Sequence, residues 1–335
     1  MEQLQAHSLD SLNACAEAYD ACVDATVGID AFCSSSLWSF PAAGHLSEDR
    51  TPYVWRTPAG FVAWMERVWE DGSVILEPLE SAWWFASPLL GADAKALSRD
   101  AVALLEQHPR WDAALIPGLQ WGAPVLRNVA ARLQHKGYVL YRGPSTVRYV
   151  ASLDQGVEGF LGRRSANFRH SLSGALRKAE ALGVQCVHVQ PAVSEVDAVF
   201  KRVYAVECAS WKGLLGNGIV SEPMAGFYRA MAQRLAVHGA WHVWFAVHEG
   251  QDVGYLMGAV GRGGFRALQC SFDEKYRKVG LGNVLQRCAV WYACEQGLSV
   301  YDLGSEVSYK ERWAEGRHET VMLVVRRPSS DHDSV

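Results

Sequence analysis

The sequence holds no C-x-x-C pair among its eight cysteines and no H-E-x-x-H among its 11 histidines. Neither a zinc knot nor a metalloprotease helix is therefore written in it, and no metal is expected. The thiols, Cys15, Cys22, Cys33, Cys186, Cys208, Cys270, Cys288 and Cys294, lie mostly in apolar segments and read as buried and free. His242 and His248 read as the polar face of a strand. Long apolar runs are missing: "AALI" and "MLVV" fall far short of the ~20 residues of a bilayer span. The start, "MEQLQAHSLDSLNACAEAYD", lacks a basic head followed by an apolar core, so no signal or transit peptide is read there and a cytoplasmic protein is expected. Charge of one sign is scarce too. The 32 Lys and Arg stand against 36 Asp and Glu, a formal net charge of −4, which gives no general attraction for nucleic acid. The one local basic patch, "RRSANFRHSLSGALRK", reads as the solvated face of a helix with Phe168, Leu172, Ala175, Leu176 and Ala179 turned inward. Absent as well are the P-loop G-x-x-x-x-G-K-[ST] and the G-x-S-x-G nucleophile elbow.

What is present is a soluble-type composition, 49% hydrophobic and 20% charged over 335 residues, enough for two domains. In the second half, apolar spacing predicts a helix from Val196 behind Ser194 as its cap, and another between Ser221 and Gly239. The period then changes to two. "WHVWFAVH", "VGYLMGAV" and "FRALQCSF", separated by "EGQD" and "GRGG", predict three consecutive antiparallel strands. A helical stripe, Leu281, Val284, Leu285, Cys288, Ala289 and Tyr292, follows and stops at Gly297. "LSVYDLG" is the next strand, parallel to the one before the helix by a right-handed crossover. "TVMLVVRR" is the last strand, and "PSSDHDSV" a frayed tail. The first half repeats the plan in "YVWRTPAGFVAWMERVW", "SVILEPL", "WWFASPLLGADAKALSRDAVALLEQ" and "WDAALIP". The predicted division is 1–155, 156–327 and a tail, 328–335, with the boundary at 152–160.

Between the third strand and its helix stands "KYRKVGLGNVLQ". Its glycines let backbone amides approach a ligand, a helix N-terminus offers unpaired N–H groups, and Arg277 and Lys278 add positive charge, a combination suited to phosphate. The dinucleotide pattern G-x-G-x-x-G fails, because Leu285 replaces the third glycine and hairpins, not β-α-β units, precede the loop. The matching loop of the first half, "SPLLGADA", has one glycine, Gly91, and no cation before it. Only the second half is predicted to hold phosphate.

Arg277-Lys278-Val279-Gly280-Leu281-Gly282 resembles the R/Q-x-x-G-x-G/A signature of the GNAT acyltransferases. "YDLGSEVSYKERWA" and "ECASWKGLLGNG" are similar to the duplicated-GNAT branch, which includes cellulose-associated acetyltransferase-like proteins and the Fem ligases. The resemblance implies an α/β fold of two tandem GNAT-like domains, each a mixed, mostly antiparallel sheet flanked by helices, the first degenerate and the second catalytic. It implies that the fourth and fifth strands part to admit the pantetheine of acyl-CoA (acetyl-CoA or longer) or of an acyl carrier protein. Val279 to Asn283 would then cradle the pyrophosphate, and Cys270, Ser271 and Phe272 would lie along the thioester. Transfer of the acyl group to an amine of a small molecule, sugar or peptide needs a base and an acid. Tyr309 stands at the family's acid position, or is a packed aromatic. Asp302 and Glu306 are candidate bases, with Asp273 and Glu274 in reserve, although Asp302 equally suits a hydrogen bond to the turn at Gly304. Trp211 and Lys212 are candidates for acceptor contact, or an ordinary surface loop. An aminoacyl-tRNA-dependent Fem-like ligase and a non-catalytic acyl-CoA-binding module are the alternative readings.

Overall fold

The computed structural model describes residues 5–327. Of these, the residues up to Thr146 and those from Glu319 form one compact unit, and Val147–His318 form another.

The first unit opens with β1 (Gln5–His7) and four helices, α1 (Leu9–Asn13), α2 (Ala16–Ala25), α3 (Ala31–Ser34) and α4 (Ser36–His45). Side chains start two of them: Ser8 accepts from Ser11 N–H ahead of α1, and Asp30 accepts from Phe32 and Cys33 N–H ahead of α3. Then come β2 (Arg50–Thr57), β3 (Gly60–Val68), β4 (Val74–Pro78), β5 (Leu89–Leu90), α5 (Ala94–Gln107), β6 (Ala113–Leu119), α6 (Pro124–His135) and β7 (Val139–Ser152). β1 to β4 pair antiparallel in order, whereas β4 and β6 are parallel neighbours joined through α5. Leu97, Ala101, Leu104 and Leu105 of α5 bury one helical stripe on Val62, Trp64, Leu76 and Ile116 of the sheet.

The second unit continues with α7 (Gly156–Gly162), α8 (Ala166–Ala181), β8 (Gln185–Val189), α9 (Val196–Ala209), α10 (Trp211–Leu214), α11 (Glu222–Val237), β9 (Trp241–His248), β10 (Gln251–Gly261), β11 (Gly264–Phe272), α12 (Leu281–Glu295), β12 (Val300–Ser305) and α13 (Ser308–Glu311), and ends in the first residues of β13 (Gly316–Arg326), which belongs to the first unit from Glu319 on. Its sheet runs β8-β9-β10-β11 antiparallel, β11 to β12 parallel, and β12 antiparallel to the second half of β7. The strand-helix-strand crossover read from the sequence is present. α12 packs on one face of this sheet with α8, and α9 packs on β10 and β11. From Val321, β13 pairs with β6 in the first unit. Each unit is thus a mixed, mostly antiparallel sheet flanked by helices, with hairpins, a helix and a parallel return strand in the same order.

The predicted boundary at 152–160 falls on the end of β7 and the start of α7, within the second unit. The 328–335 tail lies outside the described residues. Three sequence expectations are corrected. Ser194 does not cap α9, because a short 3-10 turn over Val193–Glu195 precedes it and Glu195 stands at the cap. The thiols are free, but only Cys33 is buried, while Cys186 and Cys208 are exposed. β9 has no polar face at His242: helices cover both sides of the sheet, and His242 is 2% exposed.

His242 Nδ1 and His188 Nε2 of β8 lie 3.0 Å apart, their rings stacked nearly parallel against Trp244 and Tyr292. Burial lowers both imidazoles, His242 from 6.5 to about 4 with the neighbouring His188 adding to it. A histidine held neutral in the fold but protonated when unfolded supports stability above its unfolded value and loses that support as pH falls toward the folded one. The melting temperature should therefore decline from about pH 6.5 to about pH 4, and His242→Phe should flatten that part of the curve. An unchanged slope in the variant would show that other groups set it.

Candidate functional site

β11 and β12 share only three register pairs, Gly264↔Val300, Phe265↔Tyr301 and Arg266↔Asp302. β11 continues along β10 as far as Gly254↔Phe272, so from Ala267 onward its other edge has no partner strand. The divergence has a local cause. The β12–β7 register shifts between Asp302 and Gly304, and Gly304 takes the left-handed conformation at φ 77°. Such a bulge bends its strand, and the β11–β12 ladder ends at this point. Asp302 fixes the bend: one oxygen takes Gly304 N–H at 2.8 Å, and the other is gripped by Arg148 of β7 and by Arg266 of β11 at 2.7 Å.

Beyond β11 the chain runs through Asp273, whose side chain accepts from Lys275 N–H, to the predicted loop. Gly280 is left-handed at φ 86° and caps α12 with no side chain, while Asn283 N–H returns to the Gly280 carbonyl at 3.0 Å. The first-turn amides at Leu281 and Gly282 therefore point out of the helix without an intrahelical acceptor. Arg277 is exposed and paired with Glu274 at 2.8 Å. Lys178 of α8 donates to the Lys278 carbonyl at 3.2 Å, adding a third cation beside Arg277 and Lys278. Of the basic patch, Arg169, His170 and Arg177 lie on the solvated face of α8 and Lys178 reaches this loop, whereas Arg164, ahead of the helix, is buried and paired with Glu315 at 2.6 Å, contrary to the sequence expectation. A Cβ on Gly280 would lie 3.2 Å from Ala175 of α8, and one on Gly282 would lie 3.5 Å from Phe272.

Along the free edge of β11, Cys270 and Phe272 join the core on the α12 side, and alternation sends Gln269 and Ser271 to the other face. Burial pushes the Cys270 thiol up to about 12. Lys212 is turned inward: its Nζ lies 3.3 Å from Glu207 Oε1, 3.0 Å from Gln269 Oε1 and 3.4 Å from the Cys270 carbonyl. Glu207 is fully buried and also accepts from Tyr255 Oη at 3.0 Å. The two acceptor candidates therefore separate, since Trp211 remains half exposed. From the β12 side, Lys310 donates to the Ser305 carbonyl at 3.1 Å and sits 3.7 Å from a Cβ placed on Gly304. Burial, with Arg266 adding, pushes Lys310 down to about 8 against the opposing pull of Asp302. Sequence reading missed this lysine, although it adjoins Tyr309. Burial raises the Tyr309 hydroxyl well above its usual value. Glu306 Oε1 takes hydrogen bonds from Tyr149 Oη at 2.9 Å and Arg317 at 2.7 Å near the surface.

The first unit has the same strand order and a closed counterpart. β4 and β5 lie end to end along one edge of β3, with 79–88 looping out between them. A Cβ on Gly118 of β6 would lie 2.5 Å from the Phe85 carbonyl oxygen, so the looped segment runs directly over β6. Buried Glu80 ties that segment by accepting from Trp83 and Phe85 N–H. The N-terminus of α5 is sealed as well, because Asp93 accepts from Lys95 and Ala96 N–H at 3.0 Å each. Among the described residues no group of three or more His, Cys, Asp or Glu side chains is placed to hold a metal, and no helix is long and apolar enough to cross a membrane.

Two parallel strands that part after three residue pairs, with a helix start open to the solvent between them in the chain, are the features that set the second unit apart from the first. Residues 166–313, within the second unit, match the family model described as an acetyltransferase (GNAT) domain. Among solved structures it is similar over its whole length to FemX, at 9% identity and TM-score 0.61, covering 95% of this chain and 96% of that one. It is similar also to a conserved protein of unknown function from Bacteroides thetaiotaomicron, at 12% and 0.61 over 97% and 100%. L-PGS from Bacillus licheniformis gives 13% and 0.55 over 93% and 91%. These likenesses extend the fold to both units. No curated protein matches the sequence.

Because Asp302 neutralises two nearly buried guanidinium groups, Asp302→Asn should cost about 3 kcal/mol of stability. Urea denaturation measures this. A variant of wild-type stability would free Asp302 for the role of base.

Proposed function

We propose that the second unit transfers an acyl group directly from acyl-CoA, or from an acyl carrier protein, to an amine of a small molecule, sugar or peptide. The observation that carries this reading is the gap between β11 and β12, which leads straight to the open first turn of α12. A pantetheine arm is extended and carries amides, so it suits an unpaired strand edge. Its pyrophosphate end suits helix amides flanked by Arg277, Lys278 and Lys178. The thioester would then lie along Cys270, Ser271 and Phe272.

For the proton transfers, Lys310 serves better as base than Asp302, whose oxygens are taken by Arg148, Arg266 and Gly304 N–H. A lysine titrating at about 8 is neutral often enough at working pH to accept a proton from the attacking amine. Tyr309 stays protonated and is the acid for the departing thiolate. Glu306, at the surface, meets the acceptor and does not serve as base; Lys212 orders the β11 edge, and Trp211 is left to contact the acceptor. A second reading, aminoacyl transfer in the manner of the Fem ligases, draws on the whole-length likeness to FemX. Mass spectrometry of ligand co-purifying with the protein separates the two, CoA against tRNA.

Calorimetry should give one CoA site per chain, lost in Gly280→Val, which adds a branched side chain at a left-handed residue, and weakened at least tenfold in Arg277→Glu. Two sites per chain, or full affinity in both variants, would remove the loop from the donor site. Turnover should rise with pH through about 8 and should fall ~100-fold or more in Lys310→Met without recovery in Lys310→Arg, since arginine keeps its proton. Rescue by arginine would mean that the charge, not the base, is needed. Tyr309→Phe should lower turnover while leaving CoA affinity near wild type.

A further inference from the structure

Away from the parted strands, two thiols meet on the helix-covered face of the sheet. Cys186 stands on β8, which pairs with β9 at Cys186↔Ala246, and Cys288 stands on α12, which packs across β8 and β9. The neighbouring contacts fix the alignment. His188, two residues along the same strand face, touches Tyr292, one turn along the same helix face, with ring centroids 4.7 Å apart. In register with that contact, the Cys186 and Cys288 thiols lie close enough to perturb each other's hold on a proton. Cys186 is exposed and Cys288 partly so, which leaves the pair open to a small reagent. Arg287, its guanidinium laid over the Trp291 ring at 4.7 Å, adds positive charge beside the Cys288 sulfur.

We propose that Cys186 and Cys288 are a reactive dithiol that hydrogen peroxide converts to a disulfide joining the edge strand β8 to α12. The chemistry divides between the two sulfurs. The Cys186 S–H and the Arg287 guanidinium both favour a thiolate at Cys288, whose proton is held more weakly than in an ordinary thiol, while Cys186 keeps its own more strongly. The Cys288 thiolate attacks one peroxide oxygen and breaks the O–O bond, giving a sulfenic acid and, after protonation, water. Cys186 sulfur then attacks the sulfenic sulfur and expels a second water. Two thiols and one peroxide thus become one disulfide and two waters, the peroxide taking the two electrons. The reaction reverses with an external dithiol. This inference is independent of the acyl-transfer reading.

The test uses the full chain. After a small excess of hydrogen peroxide, remaining thiols are alkylated in denaturant, and the intact mass should show a loss of about 2 Da with two fewer alkylated sites. Non-reducing digestion must cut at Tyr292, which separates Cys288 from Cys294 on an otherwise shared tryptic peptide. The cross-linked peptide should join Cys186 to Cys288 and disappear with dithiothreitol. In Cys186→Ser, dimedone should label Cys288 as a stalled sulfenic acid; in Cys288→Ser, Cys186 should resist the same dose. A link between other cysteines, or no link in the wild-type protein at a dose that oxidises its exposed Cys208, would overturn the proposal. The wild-type result decides even where a variant fails to fold.

Discussion

One carboxylate ends the ladder between two parallel strands. Asp302 holds Arg266 of β11 and Arg148 of β7 on one oxygen and the Gly304 amide on the other. It is at once the last residue of β12 paired with β11 and the residue whose carboxylate holds the bulge after it. Replacing such a charge cluster with apolar side chains need not weaken a fold. The geometry would nevertheless be lost, because the bulge at Gly304 depends on an acceptor for its amide. Everything proposed for the second unit follows from the unpaired edge that this arrangement leaves: Lys212 reaches it from α10, Lys310 approaches from α13, and the open turn of α12 stands at its far end.

The first unit shows what the same topology does without that arrangement. Its equivalent strand is interrupted, the inserted segment lies on β6 at Gly118, and the amides at the start of α5 are taken by Asp93. A helix N-terminus satisfied by its own cap has little left to offer an anion. The difference between the units lies in a handful of backbone amides, occupied in one and open in the other. Overall strand order says nothing about it.

The sequence made the second half legible where the information is local. Alternation over 241–272, the helical stripe from Leu281, and the glycines at 280 and 282 each lie within one window, and the structure carries the corresponding hairpins, helix and left-handed cap. What stayed hidden depends on distant partners. Arg148 is 154 residues from Asp302, so a single window cannot decide between a base and a structural anchor. Lys178 looked like any cation on an amphipathic helix, and Lys310 like the neighbour of a more interesting tyrosine. His242 misled because alternation marks a polar face only when one side of a sheet meets water, and here helices cover both. In the first half the missing cation before Gly91 was visible, but the sealing of the helix by Asp93 and the looping out of 79–88 are tertiary facts.

The chain leaves the first unit within β7 and returns to it within β13. That return pairs Val321 to Arg326 against β6, with Val325 fully buried in the first unit's core. During synthesis the residues before Thr146 therefore emerge without one of their own strands, and β6 waits with an open edge while the whole second unit is made. An unpaired edge is a hazard for association with other chains. Folding is thus ordered against the direction of translation: the unit synthesised first is the one completed last.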